Sequence, residues 1–261
     1  MNRSLAAILI TLMLCSTVSA QAGAKNSKSA GMRKTAAERN GKSAGDVDEI
    51  ERLLDKCVLA QGGIALSLVK TRIIRGAVEV SFSPAPGTFE AYEKMPTKSL
   101  LVINAPSGQF IQASDGGKRW VKSPWGGVTT AGSVGGDFLS RGSGKGFKWR
   151  SLFSSAYLKG RAVVERRPAV VLAATPIGRD PVVMYFDAET GLLLKQEFLR
   201  PGAKKGQVGA VFIDGYATVD GMKVPAVLRY VSEDVTMTFR VYEVKHNVPI
   251  DDALFRDPSR K

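Results

Sequence analysis

Few residues of this chain have the types and spacing that catalysis needs. The single histidine, His246, ends a strand-like run near the C-terminus. A serine hydrolase would need that imidazole beside a nucleophile held on a sharp strand-to-helix turn. Ser133, in Ala131-Gly132-Ser133-Val134-Gly135, misses the nucleophile-elbow spacing by one residue, so a hydrolase is the third-ranked reading. The stretch from Ala36 to Gly41-Lys42-Ser43 satisfies a relaxed phosphate-binding loop. Such a loop requires a buried strand just before it, and here a polar, basic segment precedes it. Nucleotide binding is therefore set aside. Beyond Cys15, in the N-terminal apolar run, Cys57 is the only cysteine. One thiol cannot make a disulfide framework or a Cys-rich metal or haem site, and on an apolar helix face it reads as a small buried hydrophobe. With no paired carboxylates, no metal-spaced His/Cys cluster and no cofactor motif, the expectation is a protein without catalytic residues, metal or cofactor.

What remains is chemistry by burial. Val78, Val80 and Phe82 fall on one face of a first strand, Leu192, Leu194 and Phe198 on one face of a central hairpin strand, and Met237, Phe239 and Val241 on one face of the last strand. None of the nine titrates, so a surface they line binds apolar groups and does no acid–base work. An acyl chain would gain ~0.8 kcal/mol for each methylene it buries there.

The elements that must position these faces start from the stretch Pro181 to Leu199. Val182 to Phe186 is apolar and β-prone, Asp187, Glu189, Thr190 and Gly191 supply turn chemistry, and the chain returns as Leu192 to Leu199 with Lys195 and Glu197 on the opposite, wet face. Upstream, Asp46 to Gln61 reads as an amphipathic helix with Val47, Ile50, Leu53, Leu54, Cys57 and Val58 on its apolar side. Asp46 and Glu49 have capping-box spacing, Gly62-Gly63 stops the helix, and Ile64 to Val69 adds a further helical turn. Strands are predicted at Thr71–Phe82, with a bend at Gly76, then at 89–94, 98–104, 109–113 and 119–122, where Trp120 and Trp125 read as core or rim aromatics or, alternatively, as the mouth of an apolar pocket. Residues 126 to 146 hold eight glycines in 21 positions and read as a mobile loop, and Phe147 to Leu158 reads as a second helix through Trp149, Leu152, Phe153 and Ala156. Strands follow at 161–165 and 169–175, then the hairpin, then 207–216, 222–232 and 235–245. About ten strands in meander order with two helices make an α+β chain whose antiparallel sheet must curl, and whose concave face the first helix covers.

The chain divides into three parts. Residues 1–20, with Arg3, an apolar run from Leu5 to Cys15 and small residues at Val18 and Ala20, read as a cleaved signal peptide, too short to span a bilayer. Leu14 before Cys15 does not suit a lipoprotein cleavage site. Residues 21–45 carry a net charge of +5 among Ala, Gly, Ser, Asn and Thr, cannot bury enough to fold, and read as a basic disordered linker, solvated or, alternatively, loosely attracted to anionic lipid or cell-wall polymer. Residues 46–261 form a single domain. Export and the lack of a recognisable binding fold argue against nucleic acid as a partner, despite the overall charge of +13.

Four stretches occur in an order with its own meaning: Leu59-Ala60-Gln61-Gly62-Gly63, Tyr185-Phe186-Asp187-Ala188-Glu189-Thr190-Gly191-Leu192-Leu193, Asp220-Gly221-Met222-Lys223-Val224-Pro225, and the closing HNVPIDDALFRDP from His246 to Pro258. Together they resemble the bacterial envelope proteins of the outer-membrane lipoprotein-sorting group (LolA/LolB-like and RseB-like). The resemblance implies an incomplete β-barrel with a helix packed in its concave face, a hydrophobic cavity that accepts the acyl chains of lipids or lipoproteins, and a periplasmic location. Its alternative is an RseB-like sensor or scaffold that binds an envelope protein partner.

Overall fold

The structure is a computed structural model that describes residues 44–95, 97–115, 119–124, 126–131, 153–177, 180–199 and 208–256. The expected signal peptide and most of the basic linker lie outside these residues, as do Trp125, Trp149 and the glycine-rich stretch beyond Ala131.

The described chain begins with α1 (Ala44–Gln61), continues through a 3-10 turn (Gly63–Leu68), and then runs almost entirely as sheet. The first half supplies β1 (Thr71–Val80), β2 (Gly87–Lys94), β3 (Lys98–Ala105), β4 (Gly108–Asp115), β5 (Arg119–Ser123) and β6 (Gly126–Ala131). The second supplies β7 (Phe153–Val164), β8 (Arg167–Pro176), β9 (Val182–Asp187), β10 (Leu193–Leu199), β11 (Val208–Val219), β12 (Met222–Val231) and β13 (Thr236–His246), followed by a short 3-10 segment, Asp252–Phe255. Among the described residues all 13 strands form one sheet in the order β6-β5-β4-β3-β2-β1-β13-β12-β11-β10-β9-β8-β7. Consecutive strands pair antiparallel from β1 to β6 and from β7 to β13, and β1 pairs with β13 to join the two arms. β6 and β7 are the two ends of this order, so the barrel is open between them.

The expected curved antiparallel sheet with a helix in its concave face is therefore the observed architecture. Ile50, Leu53, Leu54 and Cys57 of α1 enter one large apolar cluster with side chains from both arms of the sheet, including Val78, Phe110, Leu172, Met184 and Phe239. Burying side chains of this size is worth ~1.5–3 kcal/mol each, enough to hold the helix on the sheet. Two smaller clusters lie on the convex face. One gathers Leu100, Ala113 and Trp120 under Ile250 and Phe255 of the C-terminal segment. The other gathers Val164, Ala169 and Leu194 with Tyr185 and Phe212.

Several local expectations need correction. Helix α1 starts at Ala44, so Asp46 lies inside it and not at its cap. Phe153 to Leu158 is strand, not helix. The reason is a bulge: the register against β8 shifts between Phe153 and Ser155, so Phe153 and Ala156 are both buried while Ser154 and Ser155 are exposed. That three-residue spacing imitates a helical face within a strand. Gly126–Ala131, expected to be loop, is the edge strand β6.

Candidate functional site

The concave face under α1 is where the expected binding residues were placed, and the structure brings together only some of them. Val78, Phe198, Met237 and Phe239 are buried in the helix-covered cluster, and Val80 and Val241 pack at its margin. Phe239 meets Phe89 edge to face, with ring centroids 5.1 Å apart and planes at 77°. Gly76 permits this packing, since a Cβ there would stand 2.3 Å from the Phe89 ring and 2.2 Å from the carbonyl oxygen of Arg240. The bend expected at Gly76 is a register shift against β13 between Arg75 and Gly76. On the other arm Phe198 stacks on Tyr230 with centroids 6.1 Å apart.

Three expected residues lie elsewhere. Phe82 follows the end of β1 in a turn and is 51% exposed. Leu192 is buried in the hairpin turn ahead of β10, outside the concave cluster. Leu194 packs on the convex face with Val164, Ala169, Tyr185 and Phe212. A bulge between Leu193 and Lys195 causes this, since Leu193 pairs with Phe186 and Lys195 with Tyr185, leaving Leu194 as the extra residue. Leu193, which the alternation had pointed outward, is the one that enters the concave cluster.

The hairpin turn is held by one carboxylate. Asp187 Oδ1 accepts from the backbone N–H of Glu189 and Thr190 and from the Thr190 hydroxyl, and Asp187 Oδ2 accepts from Arg167 at 2.9 Å. Burial alone would raise this carboxyl, but the Thr190 hydrogen bonds and the Arg167 charge outweigh it and hold it below its ordinary value. Gly191, at φ 80°, closes the turn. A Cβ at Gly191 would come within 2.7 Å of the Lys56 side chain, whose Nζ donates to the Ala188 carbonyl at 2.9 Å. The turn is thus also the polar anchor of α1.

The architecture is matched by solved structures of low sequence identity. A DUF1329 family protein from Desulfovibrio piger is similar with a TM-score of 0.54 at 14% identity, over 81% of this chain and 99% of the other. A LolA superfamily protein from Nitrosomonas europaea is similar with a TM-score of 0.54 at 12% identity, over 80% of this chain and 98% of the other. The chain has a LolA-like fold. No protein-family model matches the sequence, and no curated protein does.

In this LolA-like sheet the concave face is not free of titratable groups, contrary to the expectation from its apolar strands. The register aligns His246, Arg72, Glu93, Ser99, Ser114 and Arg119 across β13, β1, β2, β3, β4 and β5. Directly opposed residues share a face. The face is the concave one, because the next row inward carries Ile74, Ala91, Leu101, Gln112 and Val121, of which Ile74, Leu101 and Val121 belong to the helix-covered cluster. Glu93, only 1% exposed, is held by Arg72 at 2.6 Å. The buried His246 ring has its Nδ1 2.8 Å from Asp220 Oδ2. At the far end, Arg119 Nη1 and Gln112 Oε1 are shut off from solvent with no hydrogen-bond partner among the described residues. Burial pushes the Arg119 guanidinium below its ordinary value. The concave face of this LolA-like barrel is therefore apolar along most of its length and polar at one end.

Proposed function

We propose that the mature protein acts in the cell envelope as a non-enzymatic binder of the acyl chains of a lipid or lipoprotein, taken up on the concave face with α1 as the movable cover. In this reading residues 1–20 direct export, residues 21–45 are a basic linker, and residues 46–261 are the binding domain. The observation that carries it is the composition of the helix–sheet contact. Ile50, Leu53, Leu54 and Cys57 meet the sheet through apolar surface, which an acyl chain can replace methylene for methylene. A contact of that kind can be exchanged for a ligand at little net cost. The LolA-like fold and the four motifs support the same class of ligand.

The test is binding of a fluorescent fatty-acyl probe to the purified mature protein. Micromolar affinity or better is expected, weakened by Phe239→Ala on the concave face. Leu194→Ala, on the convex face, serves as the control and leaves affinity unchanged. If a folded protein at high micromolar concentration takes no probe, the concave cluster is only core, and the sensor or scaffold reading with a protein partner replaces this one.

A further inference from the structure

We propose that the ligand of the concave face is an anionic amphiphile, its chain lying along the apolar cluster and its head group held by Arg119 with Gln112 beside it. This rests on the acyl-chain reading above and adds the charge class of the ligand.

The geometry places a cation that has no partner among the described residues where a head group would lie. Arg119 and Gln112 belong to neighbouring strands and the same face: Gln112 pairs with Val121, and Arg119 lies two residues before Val121 on β5. Diagonal neighbours of this kind stand about 7–8 Å apart at the backbone, within joint reach of one small group. Gln112 is only 7% exposed, and both its Oε1 and Arg119 Nη1 are buried without a partner among the described residues. Native proteins pair their buried cations, because an uncompensated one carries the full cost of lost hydration. The acid on the same row does not serve. Glu93 is engaged by Arg72, and it lies three strands from Arg119, about 14 Å along the sheet. Asp115, next to Ser114 on β4, alternates to the opposite face. A ligand anion is the group that satisfies this guanidinium, and the Gln112 amide, whose oxygen and nitrogen exchange on a half-turn, adds a donor.

Position selects an amphiphile over a free anion. Val121, two residues along β5 from Arg119, and Leu101, opposite Gln112, are part of the apolar cluster, so an anion on Arg119 has its chain directed onto hydrocarbon. β5 is one strand from β6, at the open side of the barrel, where the head group can remain near water.

The experiment measures displacement of the neutral dye N-phenylnaphthylamine by palmitoyl lysophosphatidate, palmitate and the uncharged monopalmitoylglycerol, in the wild type, Arg119→Met and Arg119→Lys. The wild type is expected to favour each anionic ligand over the neutral one by about tenfold or more, the range of a charge-assisted hydrogen bond. Arg119→Met should erase that preference while keeping monopalmitoylglycerol affinity, and Arg119→Lys should keep part of it. Without ligand, Arg119→Met should melt no lower than the wild type, since it removes a partly buried charge with no partner among the described residues. Equal affinity of the wild type for charged and neutral ligands, or a preference that survives Arg119→Met, overturns the inference and leaves the acyl-chain reading standing. Failure of all three ligands to bind the folded protein overturns both. Thermal protection by inorganic phosphate alone, lost in Arg119→Met and not improved by an acyl chain, overturns the head-group assignment in favour of a small-anion site.

Discussion

The two ends of the described chain do the same task on opposite faces of the sheet, by different physics. Helix α1 covers the concave face with a broad apolar stripe: Ile50, Leu53, Leu54 and Cys57 enter the large cluster, and Lys56 adds a polar anchor on the Ala188 carbonyl. The C-terminal segment covers part of the convex face with only Ile250 and Phe255, yet directional bonds fix it at several points. Trp120 Nε1 donates to the Phe255 carbonyl at 3.2 Å, the Thr71 hydroxyl donates to the Val248 carbonyl at 2.6 Å, and Asp252 bridges Lys94 at 2.7 Å and Lys98 at 2.9 Å. Non-directional burial lets a cover slide or lift and settle again, whereas a cover fixed by directional bonds leaves its place only by breaking them. Of the two, the helix is the cover held mainly by non-directional contact.

Breaking the apolar cover should have the largest effect. Leu54 is 1% exposed in the middle of the stripe, so Leu54→Asp places an unpaired carboxylate in hydrocarbon. The expected loss is several kcal/mol, or release of the helix. Chemical denaturation together with the far-UV helix signal distinguishes these outcomes, and near-wild-type stability with the helix still docked would show the face to be exposed. On the other side, Phe255→Ala empties a fully buried site above Trp120. A loss of ~3–5 kcal/mol is expected for an aromatic truncation of this kind. Because the strap is fixed by its backbone as well, hydrogen exchange should show residues 250 to 256 loosened while α1 remains protected. Equal loosening of α1 would mean that the two covers are coupled through the sheet.

Legibility in the sequence followed the same divide. Helix α1 could be read because an amphipathic stripe repeats over four turns, and the Asp187–Gly191 hairpin because its turn residues have few alternatives. The meander order followed from short connections. Faces were lost wherever a bulge broke the alternation: at Phe153 and Ala156 it counterfeited a helix, and at Leu194 it turned a side chain to the convex face. The polar end of the concave face stayed hidden for another reason. Leu100, Leu101, Val102 and Ile103 are all apolar, because β3 is buried on both sides, so its pattern does not tell which face Ser99 shares. Register fixes that, and register is set by partners distant in sequence. The C-terminal strap carried a motif but no periodicity, since a segment fixed by backbone bonds needs few particular side chains.

A milder change sharpens the comparison by removing the helix's polar anchor while leaving its stripe intact. Lys56→Met deletes the bond to Ala188 but keeps an aliphatic stem against Gly191. A loss of about 0.5–1.5 kcal/mol in global stability is expected, the size of one hydrogen bond. The larger readout is local: Cys57, fully buried beneath the helix, should react faster with a thiol reagent in a Cys15→Ser background. Unchanged thiol reactivity would show that apolar burial alone sets how often the helix opens.

The smallest effect concerns the charges on the strap. Lys94, and then Lys98, hold the Asp252 carboxyl at about 2, below its ordinary 3.8. A carboxyl held low in the folded state stabilises it at every pH above the unfolded value, and that contribution is lost as the pH falls through the folded value. The strap's ion pairs should therefore be intact above pH 3.8 and progressively lost toward pH 2. Asp252 is exposed and its two lysines are half-buried, so the contribution to stability is small and screened by salt. The measurement is a difference: the melting point of the wild type minus that of Asp252→Asn, followed from neutral pH into acid at low ionic strength. A small positive difference is expected at neutral pH, shrinking to nothing as the wild-type carboxyl protonates, with hydrogen exchange of residues 250 to 256 rising in step while α1 is unaffected. A difference that persists in strong acid would mean that Asp252 acts through its shape and not its charge, and that the strap's directional bonds, like the helix's stripe, do not depend on titration.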